Sequence, residues 1–276
     1  MSHSLLSKSE AFRALHAAPG AFVIPNPWDA GSARLLASLG FKALATSSAA
    51  AAATQGRRDG HLSRAEALAL AGSIAAATDL PVAGDLENGF GDGPEFVAET
   101  IRLAAAVGLV GGSIEDATGN DQTPLYDIGL ATERVAAAVA AARSLPFHFV
   151  LTARAENFIR GNPDLKDTIR RLQAFENAGA DVLFAPGLRD IDSIRTVCAS
   201  VSRPVNVMNG MKGAFTVEQL AAAGVKRISV AASLHRTAMT ALRDAALEIA
   251  SKGTFQYVDE AMTTPELAVI LRSRND

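Results

Sequence analysis

Val107-Gly108-Leu109-Val110-Gly111-Gly112-Ser113-Ile114-Glu115-Asp116 is the stretch on which the fold turns. It joins the end of a helical pattern to a glycine, a short apolar run and two carboxylates. Glycine just past a helix end takes the left-handed cap at little steric cost, and the chain then turns directly into an extended run. The same junction recurs at Leu39-Gly40 into Ala43-Leu44-Ala45, at Ala178-Gly179 into Val182-Leu183-Phe184, and at Ala223-Gly224 into Ile228-Ser229-Val230. Repetition of one αβ junction indicates βα units with parallel strands.

Filling the gaps predicts strands at Ala21 to Ile24, Ala43 to Thr46, Val82 to Asp85, Val110 to Glu115, Phe147 to Thr152, Val182 to Ala185, Pro204 to Val207 and Arg227 to Ala231. Helical patterns lie between them at 30–38, 63–77, 94–107, 131–143, 165–177, 190–199 and 216–223. Ser63 with Glu66 reads as a capping box, and Gly93-Pro94 places proline in a first turn. Eight strands favour a closed α/β barrel of the (β/α)8 TIM type over a doubly wound sheet. The first strand also runs into Pro25-Asn26-Pro27-Trp28-Asp29, which is not a dinucleotide-binding glycine fingerprint. No linker or low-complexity break interrupts the chain, so one domain over residues 1–276 is expected. Extra C-terminal helices from about residue 234 exceed what one barrel helix needs and are expected to pack against a neighbouring subunit.

Bulk properties narrow the function. The 276 residues are 49% apolar and 20% charged, enough for a sizeable core, and only 5% aromatic, so no stacking platform for nucleic-acid bases stands out. A net charge of −3 with interspersed signs gives no electrostatic reason to expect nucleic acid or an anionic membrane as partner. The single cysteine, Cys198, excludes an internal disulfide and sits in a helical pattern that suits core packing. Met1 to Glu10 lacks the apolar core of a signal peptide, and no segment reads as a membrane span. A soluble cytoplasmic protein is the expectation.

The chemistry gathers where barrel enzymes keep it, at the C-terminal ends of the strands. Thr46-Ser47-Ser48-Ala49 follows strand two, with backbone N–H groups suited to an anion. Asp85 and Glu87 follow strand three, Glu115 and Asp116 strand four, Arg154 strand five, and Asn206 lies on strand seven. Each has a plainer reading. Gly89, Gly91 and Gly93 could form a flexible turn, Arg154 could be a structural partner of Glu115, and Ser47 could only cap a helix. His235, the one histidine near a strand tip, suits a helix start better than catalysis. Together the set is harder to dismiss, because carboxylates are rarely buried without a compensating charge. Carboxylates, an arginine and a small-residue anion pocket at one rim suit Mg²⁺ (with Mn²⁺ as an alternative) and a dicarboxylate or 2-oxo acid.

These segments resemble the isocitrate lyase/phosphoenolpyruvate mutase superfamily. The likeness runs from about residue 10 to about residue 240 through Asn26-Pro27-Trp28-Asp29-Ala30 with Ala33-Arg34, Thr46-Ser47-Ser48, Gly84-Asp85-Leu86-Glu87-Asn88-Gly89-Phe90-Gly91, Ile114-Glu115-Asp116, Ala153-Arg154 and Pro204-Val205-Asn206-Val207. The resemblance implies a Mg²⁺-dependent lyase that breaks a carbon–carbon bond in a small 2-oxo acid or 2-hydroxy di- or tricarboxylate through a metal-stabilised enolate. It implies a homo-oligomer, tetramer or dimer, with exchanged C-terminal helices. It assigns Asp85 as the direct metal ligand and Glu87 and Glu115 as outer ligands acting through water. Asp59 becomes a further acid of that network, the backbone at Ser47, Ser48 and Ala49 the carboxylate pocket, and Arg154 the substrate anchor.

The departures shape the function. Isocitrate and methylisocitrate lyases carry a Lys-Lys/Arg-Cys-Gly-His loop after the strand-four acids. Here Ala117 to Tyr126 has neither cysteine nor lysine, and its polar groups are Asn120, Asp121, Thr123 and Tyr126. Pro186 stands after strand six, where lyases place glutamate and mutases histidine. Alternatives on the same scaffold are therefore oxaloacetate decarboxylation, hydrolysis or rearrangement of a phosphonopyruvate-type P–C bond, and non-catalytic binding of a 2-oxo acid.

Overall fold

The structure is a computed structural model that describes residues 4–272, so the outermost residues of the expected 1–276 domain lie outside the described ones. Eight strands alternate with helices: β1 (Phe22–Ile24), β2 (Leu44–Ala45), β3 (Val82–Asp85), β4 (Gly111–Glu115), β5 (Val150–Arg154), β6 (Val182–Phe184), β7 (Val205–Met208) and β8 (Arg227–Ser229). Every pairing is parallel, in the order β1-β8-β7-β6-β5-β4-β3-β2. The seam between β1 and β2 is drawn together just past the strand ends. There Ala45 N–H donates to the Pro25 carbonyl over 3.1 Å and Asn26 Nδ2 to the Thr46 carbonyl over 2.9 Å. The result is the expected (β/α)8 barrel.

The helices are α1 (Leu5–Ala17), α2 (Ala30–Ser38), α3 (Ser48–Thr54), α4 (Arg64–Ala76), α5 (Pro94–Ala106), α6 (Ile128–Arg143), α7 (Leu165–Asn177), α8 (Ile191–Ala199), α9 (Val217–Ala222), α10 (Ser233–Lys252) and α11 (Thr264–Leu271), with a 3-10 turn at Gln256–Glu260. Local chemistry starts them. Asp29 and Ser32 close a capping box on α2, Ser63 and Glu66 one on α4, and Pro94 opens α5. Gly40, Gly108, Gly179 and Gly224 all take positive φ at the four junctions, as the repeated motif requires.

Three differences from the sequence expectation follow from packing. β5 begins at Val150 rather than Phe147, because Phe147 sits half-buried against the core below the sheet. Arg154 is therefore the last residue of the strand, held in register opposite Glu115, and not part of a loop. The segment after β2 is the helix α3, with Ser47 as its N-cap. The third is α1, absent from the sequence reading, whose fully buried Phe12 closes the barrel floor against Ile24, Ala83, Val150 and Val182.

Candidate active site

A cavity of about 980 Å³ opens at the C-terminal ends of the strands and continues down into the barrel. Its wall contains the residues assigned to the metal and substrate from the sequence: Ser47, Ser48, Ala49, Asp59, Asp85, Glu87, Glu115, Arg154 and Asn206. Alternation along a strand brings them inward. Ala83 and Asp85 on β3, Ser113 and Glu115 on β4, and Thr152 and Arg154 on β5 each occupy one inward face two residues apart. Among the described residues, three non-glycine residues have positive φ, Glu87 (49°), Phe90 (61°) and Ala231 (49°), and all three line this cavity. Strain of this kind, costing on the order of 1–3 kcal/mol per residue, gathers at functional sites.

Arg154 is the centre of the charge network. Nη1 lies 3.4 Å from Glu115 Oε2 and 3.7 Å from Asp85 Oδ1, while Nε bonds Glu156. Arg160 joins the network, with Nη2 3.0 Å from Glu115 Oε1 and Nε 3.0 Å from Glu156 Oε2. The Phe184 ring lies 5.2 Å from the Arg154 guanidinium. Burial opposes charge on Arg154, but Glu156, Glu115 and Asp85 outweigh it and hold its pKa above the ordinary arginine value. The plainer reading, an ion pair with Glu115, is thus part of the truth, and Arg154 also faces Asp85 across the cavity.

The acids differ in what satisfies them. Asp85 Oδ2 accepts from Ser48 N–H over 3.0 Å, whereas Asp85 Oδ1 is buried with no hydrogen-bond partner. Burial, then the nearby Asp85 and Asp59, lift Glu87 to about 7. Burial likewise lifts Glu115, against the pull of Arg154. Asp116 does not line the cavity. It is anchored by Arg171 Nη1 at 3.0 Å and accepts the Glu156 N–H over 2.8 Å, so the second carboxylate of the Glu115-Asp116 pair supports the rim from behind. Burial lifts it to about 6.

An orphaned carboxylate oxygen in an all-oxygen donor set fits a hard divalent cation. Among the described residues no three carboxylate or histidine side chains converge as a direct ligand cage. That arrangement suits Mg²⁺, which keeps several waters and binds through one or two carboxylates and the substrate's own oxygens.

Glu156, Arg160 and Arg227 were not singled out from the sequence. Glu156 follows Arg154 by two positions, the spacing that places side chains on one face. Arg227 opens the strand Arg227-Ile228-Ser229 at an inward position, and a charge within a barrel strand was a usable signal. Arg160 left none. The loop 117–126 is pinned by an Ala117–Leu125 bridge and by Tyr126 Oη donating to Asp92 Oδ1 over 2.6 Å. Ala117, Thr118 and Gly119 reach the cavity, while Asn120, Asp121, Thr123 and Tyr126 do not. Pro186 is also outside it, and His235 stacks edge-on against Trp28 at 5.3 Å, away from the wall. Cys198, on α8, packs against the core, where burial raises its thiol to about 11.

Fold and rim together define a (β/α)8 barrel whose C-terminal cavity is lined by clustered carboxylates and an arginine. The phosphoenolpyruvate phosphomutase family model matches residues 12–250, and the chain belongs to that family, within the isocitrate lyase/phosphoenolpyruvate mutase superfamily. A candidate lyase/mutase from Burkholderia cenocepacia is 52% identical, with a TM-score of 0.96 and 98% of each chain covered. The 2-methylisocitrate lyase of Shewanella oneidensis is 31% identical over 82% of this chain and 79% of its own. A phosphonopyruvate hydrolase solved with oxalate and Mg²⁺ is 26% identical, with a TM-score of 0.86, covering 95% of this chain and 94% of that one.

Proposed function

We propose that the chain is a Mg²⁺-dependent lyase that breaks a carbon–carbon bond in a small 2-oxo acid or 2-hydroxy di- or tricarboxylate. The observation that carries this reading is Asp85 Oδ1, buried without a hydrogen-bond partner and 3.7 Å from Arg154 Nη1, on a residue of the rim cavity wall. Bound there, Mg²⁺ (or Mn²⁺) supplies Lewis-acid polarisation of the substrate's 2-oxo or 2-hydroxy oxygen. Asp85 would hold the cation directly. Glu87, Glu115 and Asp59 would hold its waters, since Glu115 is buried and Glu87 half-buried at the rim and Asp59 also lines the cavity. Arg154, kept charged by its three carboxylates, would anchor the substrate carboxylate. The segment Ser47-Ser48-Ala49 at the start of α3 would form the carboxylate pocket, with the Ala49 N–H as its donor, since the Ser48 N–H is already given to Asp85 Oδ2.

The test is turnover of a panel of 2-oxo and 2-hydroxy dicarboxylates with Mg²⁺ by the parent chain, Asp85→Ala and Arg154→Ala. Loss of 10²-fold or more in kcat/KM in both variants is expected, and full retention of activity would sink the assignment. The absence of cysteine and lysine from the loop 117–126 keeps a second reading open, namely P–C hydrolysis or rearrangement, or decarboxylation of oxaloacetate. Release of phosphate from phosphonopyruvate, or of CO₂ from oxaloacetate, separates these. Binding with Mg²⁺ and no turnover on any panel member would mark a non-catalytic binder.

The C-terminal segment supports association of subunits. α10 buries no residue, and Met239, Leu242, Leu247, Phe255 and Val258 are all at least 49% exposed. An apolar face of that extent marks a surface for a partner, and a second copy, in a dimer or tetramer, is the partner proposed.

A further inference from the structure

Below the rim, the barrel holds a cation without an anion. Arg227 on β8 is 6% exposed, and its side chain crosses the lumen to β5. Nη2 donates to Thr152 Oγ1 over 2.8 Å, Nε to Asn206 Oδ1 over 2.9 Å, and Nη1 lies 3.4 Å from His16 Nε2. All three partners are neutral. Burial, then the charge of Arg227 itself, pushes His16 down to about 3. Among the described residues no carboxylate pairs with Arg227, and burial alone draws its pKa down to about 9, so it stays charged at neutral pH. A buried charge left without a counter-charge is costly, and a packed barrel core has no use for one.

The surroundings are hollow as well as polar. Barrels of this type normally stack bulky branched side chains in the lumen. Here Ala45, Ala83 and Ser113 line the shaft, and Arg227, Thr152 and Asn206 line the same cavity as the rim residues. Thr152, which touches Arg227, precedes Arg154 by two residues on one inward face. Thr152, which meets the Arg227 guanidinium, and Arg154 thus stand about 7 Å apart along β5. An anion held by both ends needs to be long enough to bridge that gap. Four C–C bonds of about 1.5 Å, with the terminal oxygens, reach it.

We propose that Arg227, with Thr152 and Asn206, forms an anion subsite on the cavity floor that takes the distal carboxylate of a five-carbon 2-oxo dicarboxylate. This deepens the proposed function and rests on it, because the 2-oxo end is placed at Asp85 and Arg154. The subsite makes the cavity a two-ended anion clamp, with the reactive end at the rim.

Calorimetric titration with Mg²⁺ tests it, using oxalate, which occupies only the rim, and 2-oxoglutarate, which spans both layers. In the parent chain both are expected to bind. In Arg227→Met the ratio of 2-oxoglutarate to oxalate affinity is expected to fall about tenfold or more, and Arg227→Lys is expected to restore part of it. An unmoved ratio, equal losses for both ligands, or a parent chain that binds oxalate but not 2-oxoglutarate overturns the proposal. If Arg227→Met does not fold, Thr152→Val and Arg227→Lys carry the same comparison with the same criteria. If the parent chain binds neither ligand, the lyase reading fails first, and crystals soaked in bromide then judge the subsite alone. Anomalous density at the Arg227 guanidinium supports a floor anion site, and its absence removes it.

Discussion

Glu87 and Glu115 show how far a rim can depart from ordinary titration. Glu87 is lifted from 4.5 to about 7 by burial and by Asp85 and Asp59, and Glu115 moves in the same direction. An unfolded glutamate releases its proton near pH 4.3. Between there and pH 7 the metal-free folded chain binds more protons than the unfolded one, so its stability falls as pH rises through that window. The urea midpoint measured in EDTA is therefore expected to drop between pH 5.5 and 7.5, and 10 mM Mg²⁺ is expected to flatten the slope. A midpoint that rises with pH in EDTA would contradict the assignment of protons to these acids. Asp85, Glu87, Glu115 and Arg154 were legible in the sequence because charges at the ends of apolar runs have few structural excuses. Glu156 and Arg160 were not, because spacing alone does not show that Glu156 turns onto Arg154, and only the folded chain brings Arg160 to 3.0 Å from Glu115.

At the scale of elements, glycine at each αβ junction made the repeat readable, and six of the seven barrel helices expected from the sequence lie within two residues of where they form. The seventh, α6, starts three residues earlier, at Ile128, because Asp127 caps it by accepting from Gly129 and Leu130 N–H. What escaped was structure decided by tertiary contact. β5 slid three residues because Phe147 found the core below the sheet. α3 is an alanine run whose start is marked only by Ser47. α1 carries a weak apolar stripe, yet its Phe12 is fully buried under the barrel and its Lys8 Nζ donates to the carbonyls of Ala75 and Thr78. Phe12→Ala is expected to cost about 3–5 kcal/mol, the usual loss for deleting a buried aromatic ring. Chemical denaturation measures it, and a loss below about 1 kcal/mol would mean that α1 does not close the floor.

At the scale of the molecule, one chain supplies all eight strands of the barrel, while its C-terminal helix α10 buries none of its residues. α11 returns to α2, where Arg34 bonds the Leu271 carbonyl, while α10 stands with its apolar residues uncovered. Light scattering is expected to give a dimer or tetramer, and Leu242→Asp with Leu247→Asp is expected to shift it to monomer without unfolding the barrel. A monomeric parent chain would contradict the proposed association.

The claim on which the functional account rests is that Asp85 and Arg154 form a cation-dependent site for a 2-oxo acid or its analogue. Calorimetry of oxalate against the intact chain, with and without Mg²⁺, tests it most directly. The expected result is binding only when Mg²⁺ is present, lost in Asp85→Ala and weakened at least tenfold in Arg154→Ala. Oxalate binding that ignores Mg²⁺ or survives Asp85→Ala would contradict the account.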